Sequence, residues 1–500
     1  CLHVGIPFSA LAPAYSLRSA EFDKLKHVFH LLTPGLIFVD NGSQYEKALA
    51  GVAGDLEVVS LVPPKGNFNY TPFNDLLKIS AGGSVEAAHR AITPDSIAKI
   101  LFTSGSTGLP KGVINTHGNL TTNLQQITQT FPFLRDEDLE LVDWLPWNHT
   151  FGGNHNFGIA LFNGGTFYID DGNPTPEGIA RTVKHLKGRR PTVYFNVPKG
   201  FEMLIPYLRK DSAFRKQFFS HLKMCFYAGA GMAQHVWNEL EDLSVETTGK
   251  KIMIGTGLGC TESCPSALFA SKPGGFSGLL GVPVPGLELK LVKRQGKLEA
   301  RYKGKNIFPG YWRQPELTAQ SFDDEGFYCT GDALQFVDEN DPSKGLIFDG
   351  RIAEDFKLST GTWVSVGIIK AQLITEGDGL IQDAVITGHD KSFVGAIIFP
   401  DLNYCRNKFQ INGELTPAII AGNSDVLNAL QAVLTRMAKR STGSSTLIRR
   451  AMIADFSLSL DKREITDKGT INQRMILDNH PEVVERMYLQ NIQEGIVEAG

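Results

Sequence analysis

The sequence has little cysteine, no long apolar run and no block of charge of one sign. No apolar stretch of about 18 residues is present, so no membrane-spanning helix is predicted. Six cysteines are scattered through the 500 residues at spacings typical of reduced thiols rather than of a disulfide framework. These features predict a cytoplasmic protein. The cysteines are Cys1, Cys225, Cys260, Cys264, Cys329 and Cys405.

Positive and negative side chains nearly balance, with 49 Lys and Arg against 53 Asp and Glu and a formal net charge of -4. Because no basic stretch stands out, the sequence predicts neither a nucleic-acid surface nor a polybasic membrane patch. The chain begins with Cys1 rather than Met, in a segment typical of a helix-to-strand transition. We therefore expect that the natural N-terminus is missing.

Glycine is abundant, and its 51 residues predict tight turns and close backbone approaches to a ligand. Short apolar runs alternate with segments of helical spacing, which predicts βαβ units and parallel sheets in an α/β fold. The predicted strands here are Gly5–Pro13, Leu36–Val39, Val58–Val62, Ala98–Phe102, Leu139–Leu145, Thr166–Ile169, Thr192–Asn196, Lys223–Tyr227 and Lys251–Ile254, and the predicted helices include Ser19–Leu32, Gln44–Ala50 and Asn119–Thr130.

The pattern changes after the Gly- and Pro-rich segment Pro273–Pro285. Leu287–Val292 and Lys297–Arg301 predict a hairpin at the edge of an antiparallel region. A new α+β pattern follows a boundary placed near Gly350–Lys357. The predicted parts are an N-terminal domain over residues 1–350, a hinge over 351–357 and a C-terminal α+β domain over 358–500.

The most specific motif lies in Ile100–Val113, where an apolar run leads into Ser-Gly-Ser-Thr-Gly-Leu-Pro-Lys-Gly. Glycines let a backbone curl around anionic oxygens, and hydroxyls and a lysine add donors suited to the β- and γ-phosphates of a nucleotide. The motif of P-loop NTPases differs, because there Ser or Thr follows the lysine, whereas Gly112 follows Lys111. The residues expected to contact phosphate are Thr103, Ser104, Gly105, Ser106, Thr107, Gly108 and Lys111.

This loop resembles the phosphate loop of the adenylate-forming enzymes, which include acyl-CoA synthetases, firefly-luciferase-like enzymes and the adenylation domains of peptide synthetases. Further motifs follow in family order, so the resemblance covers essentially the whole chain. It implies a large N-terminal domain of layered α/β subdomains with mainly parallel sheets and a small β-barrel-like part, followed by a small mobile α+β domain. It also implies ATP, Mg²⁺ and coenzyme A as cofactor and co-substrates.

Two motifs resemble parts of the family's acyl and adenine pockets. Pro146–Gly152 is similar to the segment in which a His or an aromatic residue lines the acyl pocket, and this implies that role for His149; the alternative is a hydrogen-bonded core histidine. Tyr227–Met232 resembles a small-residue stretch that packs against adenine and the acyl group. The implied adenylate contacts in that stretch are Gly229 and Ala230, and the implied acyl-pocket residues are Tyr227 and Gly231.

Gly255–Glu262 resembles the family's Tyr-Gly-x-Thr-Glu motif. The resemblance implies that Thr261 contacts the adenylate phosphate and that Glu262 holds Mg²⁺, with Thr107 as a second ligand. A carboxylate suits this role because a hard cation prefers oxygen ligands. Leu258 stands where the family usually has an aromatic residue, so adenine stacking is weaker or supplied elsewhere. Gly257 is an implied adenylate contact, and Gly255 and Leu258 are implied acyl-pocket residues.

Later motifs imply a ribose site and a hinge. Tyr328–Asp332 matches the family's Thr-Gly-Asp motif, which implies that Asp332 accepts hydrogen bonds from both ribose hydroxyls and that Arg351 lies near them. In the hinge motif Glu354 aligns with the family's acidic residue, and Asp355 is an immediate alternative.

The final motif of the family carries a lysine that bridges the substrate carboxylate and the α-phosphate. Glu464–Thr470 resembles this motif, but Lys468 precedes the glycine and Thr470 stands at the expected lysine position. Lys468 is the implied catalytic lysine, together with Lys111 and Glu262; the alternative is an ordinary solvated lysine.

The resemblance implies adenylation of a carboxylic acid by ATP and transfer of the acyl group to CoA. Some stretches are similar to bacterial feruloyl-CoA synthases, which implies a hydroxycinnamic or other aromatic acid as substrate. The alternatives are a fatty-acyl or benzoate CoA ligase, a non-catalytic adenylate-binding relative and a peptide-synthetase module. The oligomeric state is open, with a homodimer as one option. The stretches are Asp143–His155, Tyr168–Gly172, Ala353–Val364 and Ile465–Arg474.

Overall fold

A computed structural model describes residues 1–104, 109–272, 274–466 and 469–499. The chain divides into two compact units. The larger comprises Cys1–Val292, Ala300–Thr330 and Gln335–Phe348, and the smaller comprises Lys293–Glu299, Gly331–Leu334 and the chain from Asp349 onward. Helices and strands alternate in both units, which confirms the predicted α/β class.

The strands are named in chain order. They are β1 (Leu36–Asn41), β2 (Glu57–Val62), β3 (Tyr70–Pro72), β4 (Ile97–Ser104), β5 (Pro110–Thr116), β6 (Glu140–Asp143), β7 (Thr166–Ile169), β8 (Val193–Asn196), β9 (Met224–Tyr227), β10 (Met253–Gly259), β11 (Ser266–Ala270), β12 (Leu279–Pro283), β13 (Glu288–Arg294), β14 (Lys297–Lys303), β15 (Tyr328–Phe336), β16 (Leu346–Arg351), β17 (Phe356–Lys357), β18 (Trp363–Val364), β19 (Ile381–Thr387), β20 (Val394–Pro400), β21 (Ile448–Ile453) and β22 (Ile496–Glu498).

The α-helices follow the same scheme. They are α1 (Ala14–Leu17), α2 (Asp23–Leu32), α3 (Glu46–Val52), α4 (Phe73–Leu76), α5 (Gly83–Arg90), α6 (His117–Thr130), α7 (Phe133–Asp136), α8 (Phe157–Asn163), α9 (Pro176–Leu186), α10 (Pro198–Lys210), α11 (Ser212–Phe219), α12 (Gln234–Thr248), α13 (Pro315–Gln320), α14 (Val366–Glu376), α15 (Leu402–Phe409), α16 (Pro417–Ala421), α17 (Ser424–Arg440), α18 (Gln473–Asn479) and α19 (Pro481–Tyr488).

The main sheet has the strand order β13-β14-β15-β16-β12-β11-β10-β9-β8. Strands β8, β9 and β10 are parallel, and β11 and β12 continue the sheet antiparallel. Because β9 and β10 are parallel neighbours, the loops that follow them emerge at the same edge, which is where α/β sheets usually bind ligands. These two loops carry the predicted motifs that begin at Tyr227 and Gly255.

One face of β8–β10 is covered by helices α9 to α12. Their apolar side chains form a core that includes Phe201, Leu204, Trp237 and Leu240, all nearly inaccessible to solvent. Every residue of β8 and β9 is buried, so both faces of these strands are covered, which explains why they appear in the sequence as continuous apolar runs rather than alternating ones.

In the smaller unit, the described residues build a four-stranded sheet in the order β19-β20-β21-β22, with β17 and β18 as a separate pair. Its core combines inward residues of the sheet with apolar residues of α14 and α17, among them Ile369, Leu373, Leu430 and Leu434. This arrangement agrees with the α+β pattern predicted for the C-terminal part of the chain.

Most predicted elements exist with shifted ends, and one is wrong. The expected strand over Gly5–Pro13 is reduced to an isolated bridge between Phe8 and Lys99. The predicted hairpin is confirmed, since β13 and β14 are neighbours joined by Gln295 and Gly296, which both have the positive φ that a tight type I′ turn needs. Within the described ranges, the helices are too short or too polar to cross a bilayer.

Candidate active site

The predicted phosphate loop lies between two paired strands. Strand β4 runs antiparallel to β5, and the register places Thr103 opposite Lys111 and Ser104 opposite Pro110. Gly105, Ser106, Thr107 and Gly108, predicted to contact phosphate, lie outside the described residues. Their assignments therefore remain predictions. The strand pairing places Ser104 and Pro110, which lie on either side of these residues in the chain, opposite each other.

Lys111 lies over an aromatic ring that the sequence reasoning did not include. Its Nζ is 5.2 Å from the centroid of the Tyr311 ring, within the range of a cation–π contact. The segment around Tyr311 pairs with the free edge of β5, so the strand that follows the phosphate loop also positions the tyrosine. The pairing bonds run from Ile114 N to Gly310 O (3.2 Å) and from Trp312 N to Gly112 O (2.7 Å).

Glu262 lies on the other side of the same tyrosine. It follows β10 in the short 3-10 turn Thr261–Ser263, and only 7% of its surface is exposed. The Tyr311 hydroxyl donates to Glu262 Oε1 at 3.0 Å, and Phe308 N donates to the Glu262 carbonyl at 2.8 Å. The structure thus joins Lys111 and Glu262, two residues predicted to act on ATP, through the one ring of Tyr311.

Burial keeps the phenols beside Glu262 protonated. The pKa of Tyr311 is raised far above its usual value, first by burial and then by the negative charge of Glu262. Burial, followed by the same charge, also raises the pKa of Tyr328. Tyr311 therefore keeps its proton and can donate it in the hydrogen bond to Glu262.

A chain of buried amides supports Thr261 from behind. Asn115 of β5 donates from Nδ2 to the Thr261 carbonyl at 3.3 Å, and Asn154 donates to Asn115 Oδ1 at 2.8 Å. Asn154 also donates to Thr150 Oγ1 at 3.1 Å. The turn that carries the predicted phosphate contact is thereby tied to the segment that follows His149.

Lys99 ends this chain inside the protein. Its side chain is buried, and Nζ donates to the Gly153 carbonyl at 2.9 Å and to Asn154 Oδ1 at 3.0 Å. Burial lowers the pKa of Lys99 to about 8, although the nearby Cys264 thiol partly offsets this effect. A buried lysine at this place was not predicted, because in the sequence it is one charged residue within an apolar run.

The segment after β9 is open to solvent. Gly229, Ala230 and Gly231 are exposed, and among the described residues, chain neighbours aside, no atom lies within 4 Å of a Cβ built on Gly229 or on Gly231. Gly229 has a φ of 89°, which side chains rarely tolerate. The predicted small-residue stretch thus leaves its backbone accessible, as contact with a planar ring requires.

Strand alternation separates Tyr227 from its neighbour. Tyr227 is 2% exposed and packs edge-to-face with Trp237 in the core beneath α12, with its pKa raised by burial. Phe226 points to the opposite face, where its ring meets Phe195 and Phe269. This geometry favours Phe226 over Tyr227 as a pocket residue, although the sequence assigned that role to Tyr227.

Glycines in β10 make room for these aromatic rings. A Cβ on Gly255 would lie 2.7 Å from Met224 Sδ and 3.1 Å from Phe226, and one on Gly257 would lie 2.8 Å from Phe269. The two predicted ligand contacts are therefore also required for packing. Leu258, on the same strand, is half-buried and points to the other face by alternation.

His149 begins the segment that covers the aromatic face. It is half-buried, its Nδ1 accepts from Phe151 N at 3.3 Å and its carbonyl accepts from Gly153 N at 2.8 Å. Because Nδ1 is an acceptor here, the proton of the neutral ring sits on Nε2. These bonds shape the turn that follows, so His149 has a structural role besides the predicted pocket role.

In the smaller unit, the structure brings the two predicted ribose residues together. Arg351 Nε lies 3.3 Å from Asp332 Oδ1, with the arginine side chain largely exposed and the aspartate mostly buried. The pairing orients the carboxylate and leaves the guanidinium at the surface. The Asp332 carboxylate could accept from both ribose hydroxyls in this position. The ribose assignment stays a prediction.

The two hinge candidates have different surroundings. Asp355 is held by Lys297, at 2.6 Å from Nζ to Oδ2, and its Oδ1 accepts from Val366 N at 2.9 Å. Burial raises the pKa of Asp355, and the Lys297 hydrogen bond and charge oppose that rise. Glu354 lies exposed in the preceding 3-10 turn. Of the two, Glu354 has the more exposed side chain.

Lys468 lies outside the described residues, but the hairpin that bears it is described on both sides. Ile465 bridges Ile471, and Thr466 N donates to the Thr470 carbonyl at 2.9 Å. Thr470 is exposed in this hairpin. The assignment of Lys468 therefore stays a prediction.

Glu464 fixes the base of this hairpin, and sequence reasoning did not single it out. Its side chain is 1% exposed and accepts from the ring of His480 at 2.8 Å. The backbone of Ser459 donates to its second carboxylate oxygen at 2.9 Å, and Asn479 Nδ2 donates to the first at 3.1 Å. These three hydrogen bonds tie Glu464, at the base of the hairpin, to Ser459 and to the end of α18.

Two family models match this chain. The AMP-binding enzyme model covers residues 1–312, and the model of the AMP-binding enzyme C-terminal domain covers residues 356–491. The first alone spans more than half of the sequence. The chain belongs to the AMP-binding enzyme family. The exposed glycine loop after β9 and the joined Lys111, Tyr311 and Glu262 all fall within the larger match.

Several relatives of this AMP-binding enzyme are named CoA ligases. A long-chain-fatty-acid–CoA ligase of Haemophilus influenzae is 31% identical over 65% of this chain and 61% of its own length. A 4-coumarate-CoA ligase of Narcissus pseudonarcissus is 28% identical over 60% of this chain and 54% of its own length. The chain thus spans about half to three fifths of the length of several curated relatives that it matches.

Solved structures support the fold of the AMP-binding enzyme. The crystal structure of an anthranilate CoA ligase in complex with anthranoyl-AMP has a TM-score of 0.67 and 21% identity, and the match covers 92% of this chain and 81% of the ligase. At that identity the likeness concerns the fold alone. Within the larger unit, Lys111 and Glu262 both contact Tyr311, and in the smaller unit Arg351 pairs with Asp332.

Proposed function

We propose that this chain activates a carboxylic acid with ATP and transfers the acyl group to coenzyme A, with release of AMP and pyrophosphate. The observation that carries the proposal is the arrangement in which Tyr311 joins Lys111, at the end of the phosphate loop, to Glu262, at the end of β10. A cation and a carboxylate held this way suit a bound triphosphate. The ligase names of the relatives support the same reaction class.

In the first step the substrate carboxylate attacks the α-phosphate of ATP, and pyrophosphate leaves. Both reactants are anions, so catalysis depends on positioning and on neutralisation of charge. We propose that Lys111 and the hydrogen-bond donors of the loop neutralise the charge of the phosphates. We assign the bridging of carboxylate and α-phosphate to Lys468, and the contact with the adenylate phosphate to Thr261.

The donor set at Glu262 fits Mg²⁺. One carboxylate oxygen is oriented by the Tyr311 hydroxyl, in a largely buried position. Magnesium commonly takes one or two carboxylates and completes its octahedron with phosphate oxygens and water. Glu262 and Thr107 are the residues proposed to hold it. When bound, the ion supplies charge neutralisation on the phosphates.

In the second step the thiol of CoA attacks the carbonyl carbon of the acyl-adenylate, and AMP leaves as the thioester forms. The family resemblance implies that the C-terminal part rotates at a short hinge, and such motions usually centre on a few residues. We propose Glu354 as that residue, because it is exposed whereas Asp355 is tied to Lys297.

We further propose that the acid is aromatic, of the hydroxycinnamate type. Support comes from the aromatic rings that gather beneath the segment after His149 and from the name of the Narcissus relative. A fatty acid is the second candidate, and the observation in its favour is the 31% identity with the Haemophilus ligase.

The test is a panel of acids with ATP, Mg²⁺ and CoA, in which AMP and acyl-CoA are measured together. Ferulate, 4-hydroxycinnamate, benzoate and a long-chain fatty acid separate the candidates. Turnover limited to hydroxycinnamates supports the full proposal. Turnover limited to the fatty acid contradicts the aromatic substrate and supports a fatty-acyl CoA ligase. A protein that binds ATP and yields no AMP with any acid is the non-catalytic relative.

A further inference from the structure

A buried π-helical turn lies between β6 and α8. It comprises Phe151–Asn156, and all six of its residues are buried. The π-helix is rare, and its single turns occur frequently at functional sites because they turn a side chain away from the direction a regular helix would give it. This turn carries His155, which is 2% exposed.

His155 is the end of a hydrogen-bonded chain of three side chains. Asn156 Nδ2 donates to Asp143 Oδ1 at 3.1 Å, and His155 Nδ1 lies 2.8 Å from Asn156 Oδ1. Since the amide nitrogen of Asn156 faces the carboxyl group, its oxygen faces the imidazole, and Nδ1 must be the donor. In the neutral ring Nε2 is then an acceptor with an open lone pair.

That acceptor has no partner among the described residues, although it is fully buried. Most buried polar side-chain atoms in proteins are hydrogen-bonded, so an exception calls for an explanation such as a ligand group or a water. Burial lowers the pKa of His155 to about 4, with the Asn156 bond opposing, so the ring is neutral at physiological pH and offers no charge to an anion.

Four phenylalanine rings lie close to the imidazole ring of His155. These rings lie around the imidazole as a whole: the ring centroid of His155 is 5.5 Å from that of Phe151, 5.2 Å from Phe195, 5.5 Å from Phe226 and 6.3 Å from Phe269. We call these four phenylalanines the aromatic cluster. A flat ring suits such surroundings because aromatic pairs gain from stacked and edge-to-face contact.

Two members of the aromatic cluster pair with β10, the strand that leads to the proposed nucleotide site. Phe226 is paired with Gly255 and Phe269 with Gly257, both on β10. Four residues after Gly257 the chain reaches Thr261, a span of about 13 Å in extended chain. One face of β10 and its neighbours therefore connects the aromatic cluster with the residues assigned to the adenylate phosphate.

We propose that His155 is a specificity-determining residue whose Nε2 accepts a hydrogen bond from the phenolic hydroxyl of an aromatic acid bound against the aromatic cluster. This inference rests on the proposed function and names the substrate feature that the site recognises. A neutral acceptor among apolar rings selects a hydroxyl donor, and offers nothing to the methyl end of a fatty acid or to an unsubstituted ring. Asn156 and Asp143 act as positioning residues, because they keep the proton on Nδ1.

The experiment compares acids that differ by one hydroxyl. The kcat/KM values for 4-hydroxycinnamate and cinnamate are measured on the full chain for the wild type, His155→Phe, His155→Gln and Phe269→Leu, with thermal unfolding as a check on folding. Calorimetric binding of the two acids in the absence of ATP is measured alongside. The Phe269→Leu variant alters the aromatic cluster without touching the acceptor.

The wild type is expected to prefer 4-hydroxycinnamate by about 10- to 100-fold, the range of one buried hydrogen bond. His155→Phe removes most of this preference, chiefly through KM, His155→Gln retains part of it, and Phe269→Leu affects both acids alike. The same ratio in the wild type and in both His155 variants, or no preference in the wild type, overturns the inference.

The binding measurement separates this inference from the proposed function. Selective binding of 4-hydroxycinnamate that is lost in His155→Phe, without formation of acyl-CoA, contradicts the ligase reaction and supports the recognition by His155. Formation of acyl-CoA from both acids at equal efficiency supports the ligase reaction and contradicts the recognition. If His155→Phe does not fold, the His155→Gln ratio and its binding decide the question.

Discussion

The Tyr311 hydroxyl lies 3.0 Å from Glu262 Oε1, and the ring of the same tyrosine lies beneath Lys111. One side chain therefore sets both the carboxylate and the ammonium group assigned to ATP. A hydrogen bond to a charged group commonly contributes about 1.5–3 kcal/mol, so this contact is strong enough to matter for catalysis.

Tyr311→Phe tests that contact. Loss of the hydroxyl leaves Glu262 less firmly oriented, and we expect the Mg²⁺ concentration for half-maximal adenylation to rise by about tenfold, in line with a bond of that strength. Adenylation rates at a series of Mg²⁺ concentrations provide the measurement. Tyr70→Phe is the matched control, since its hydroxyl donates to the Ser60 carbonyl at 3.4 Å, in another sheet. An unchanged Mg²⁺ dependence in Tyr311→Phe contradicts the assignment of Glu262.

Lys468→Ala tests the displaced lysine. We expect adenylation to fall by about 100-fold or more, as on loss of a donor that stabilises developing charge. Formation of thioester from preformed acyl-adenylate does not need this group and should be largely retained. Both half-reactions are measured with Thr470→Ala as control, because Thr470 occupies the position where the family usually has lysine. A loss in Thr470→Ala and none in Lys468→Ala would reverse the assignment.

Glu464→Gln tests the base of the same hairpin. The buried carboxylate of Glu464 accepts hydrogen bonds from His480, Asn479 and Ser459. In the glutamine variant, the amide NH₂ group would face one of these donors and could not accept its hydrogen bond. We expect a loss of about 1–3 kcal/mol in stability together with slower adenylation. Thermal unfolding and the first half-reaction are the measurements.

Glu482→Gln is the control for that variant, because Glu482 lies 3.7 Å from the other nitrogen of His480 but is largely exposed. Exposed pairs contribute little, so this change should leave stability nearly as it was. Equal effects of the two substitutions would show that the buried anchor has no special importance.

The buried Lys99 predicts a pH dependence of stability. Its pKa is about 8 in the folded chain against 10.5 in the unfolded one, because burial disfavours the charged form. Between these values the unfolded state binds more protons, so stability rises with pH. Relative to Lys99→Met, the wild type should gain about 2 kcal/mol in free energy of unfolding from pH 7.5 to 9.5. Denaturant titrations at both pH values measure it, and a difference that stays constant refutes the shifted pKa.

Much of the fold was accessible from the sequence because local patterns specify it. The apolar runs at Lys223–Tyr227 and Lys251–Ile254 contain β9 and the start of β10, and glycine at the ends of these strands marked the loops. The failure at Gly5–Pro13 has a tertiary cause: only Phe8 finds a partner, at Lys99, so the apolar residues there do not extend into a strand.

Site residues could be predicted where they belong to a sequence motif. They could not be predicted where they reach the site only through folding of a distant segment. Lys111 and Glu262 belong to local motifs, whereas Tyr311 enters through pairing of its own segment with β5. The sequence assigned Tyr227 to the pocket without weighing Phe226, and that assignment stays a prediction. A strand covered on both faces shows no alternation of polarity, so the sequence does not say which side chain faces the ligand.

The π-helical turn at Phe151–Asn156 accommodates one more residue than an α-helical turn of similar rise. Deleting a single residue there would restore a regular helix and rotate every following side chain by about 100°. An AMP-binding enzyme could in this way exchange the side chain that faces its aromatic cluster while leaving its nucleotide machinery intact. The turn is thus a point at which substrate preference can evolve by insertion or deletion rather than by substitution.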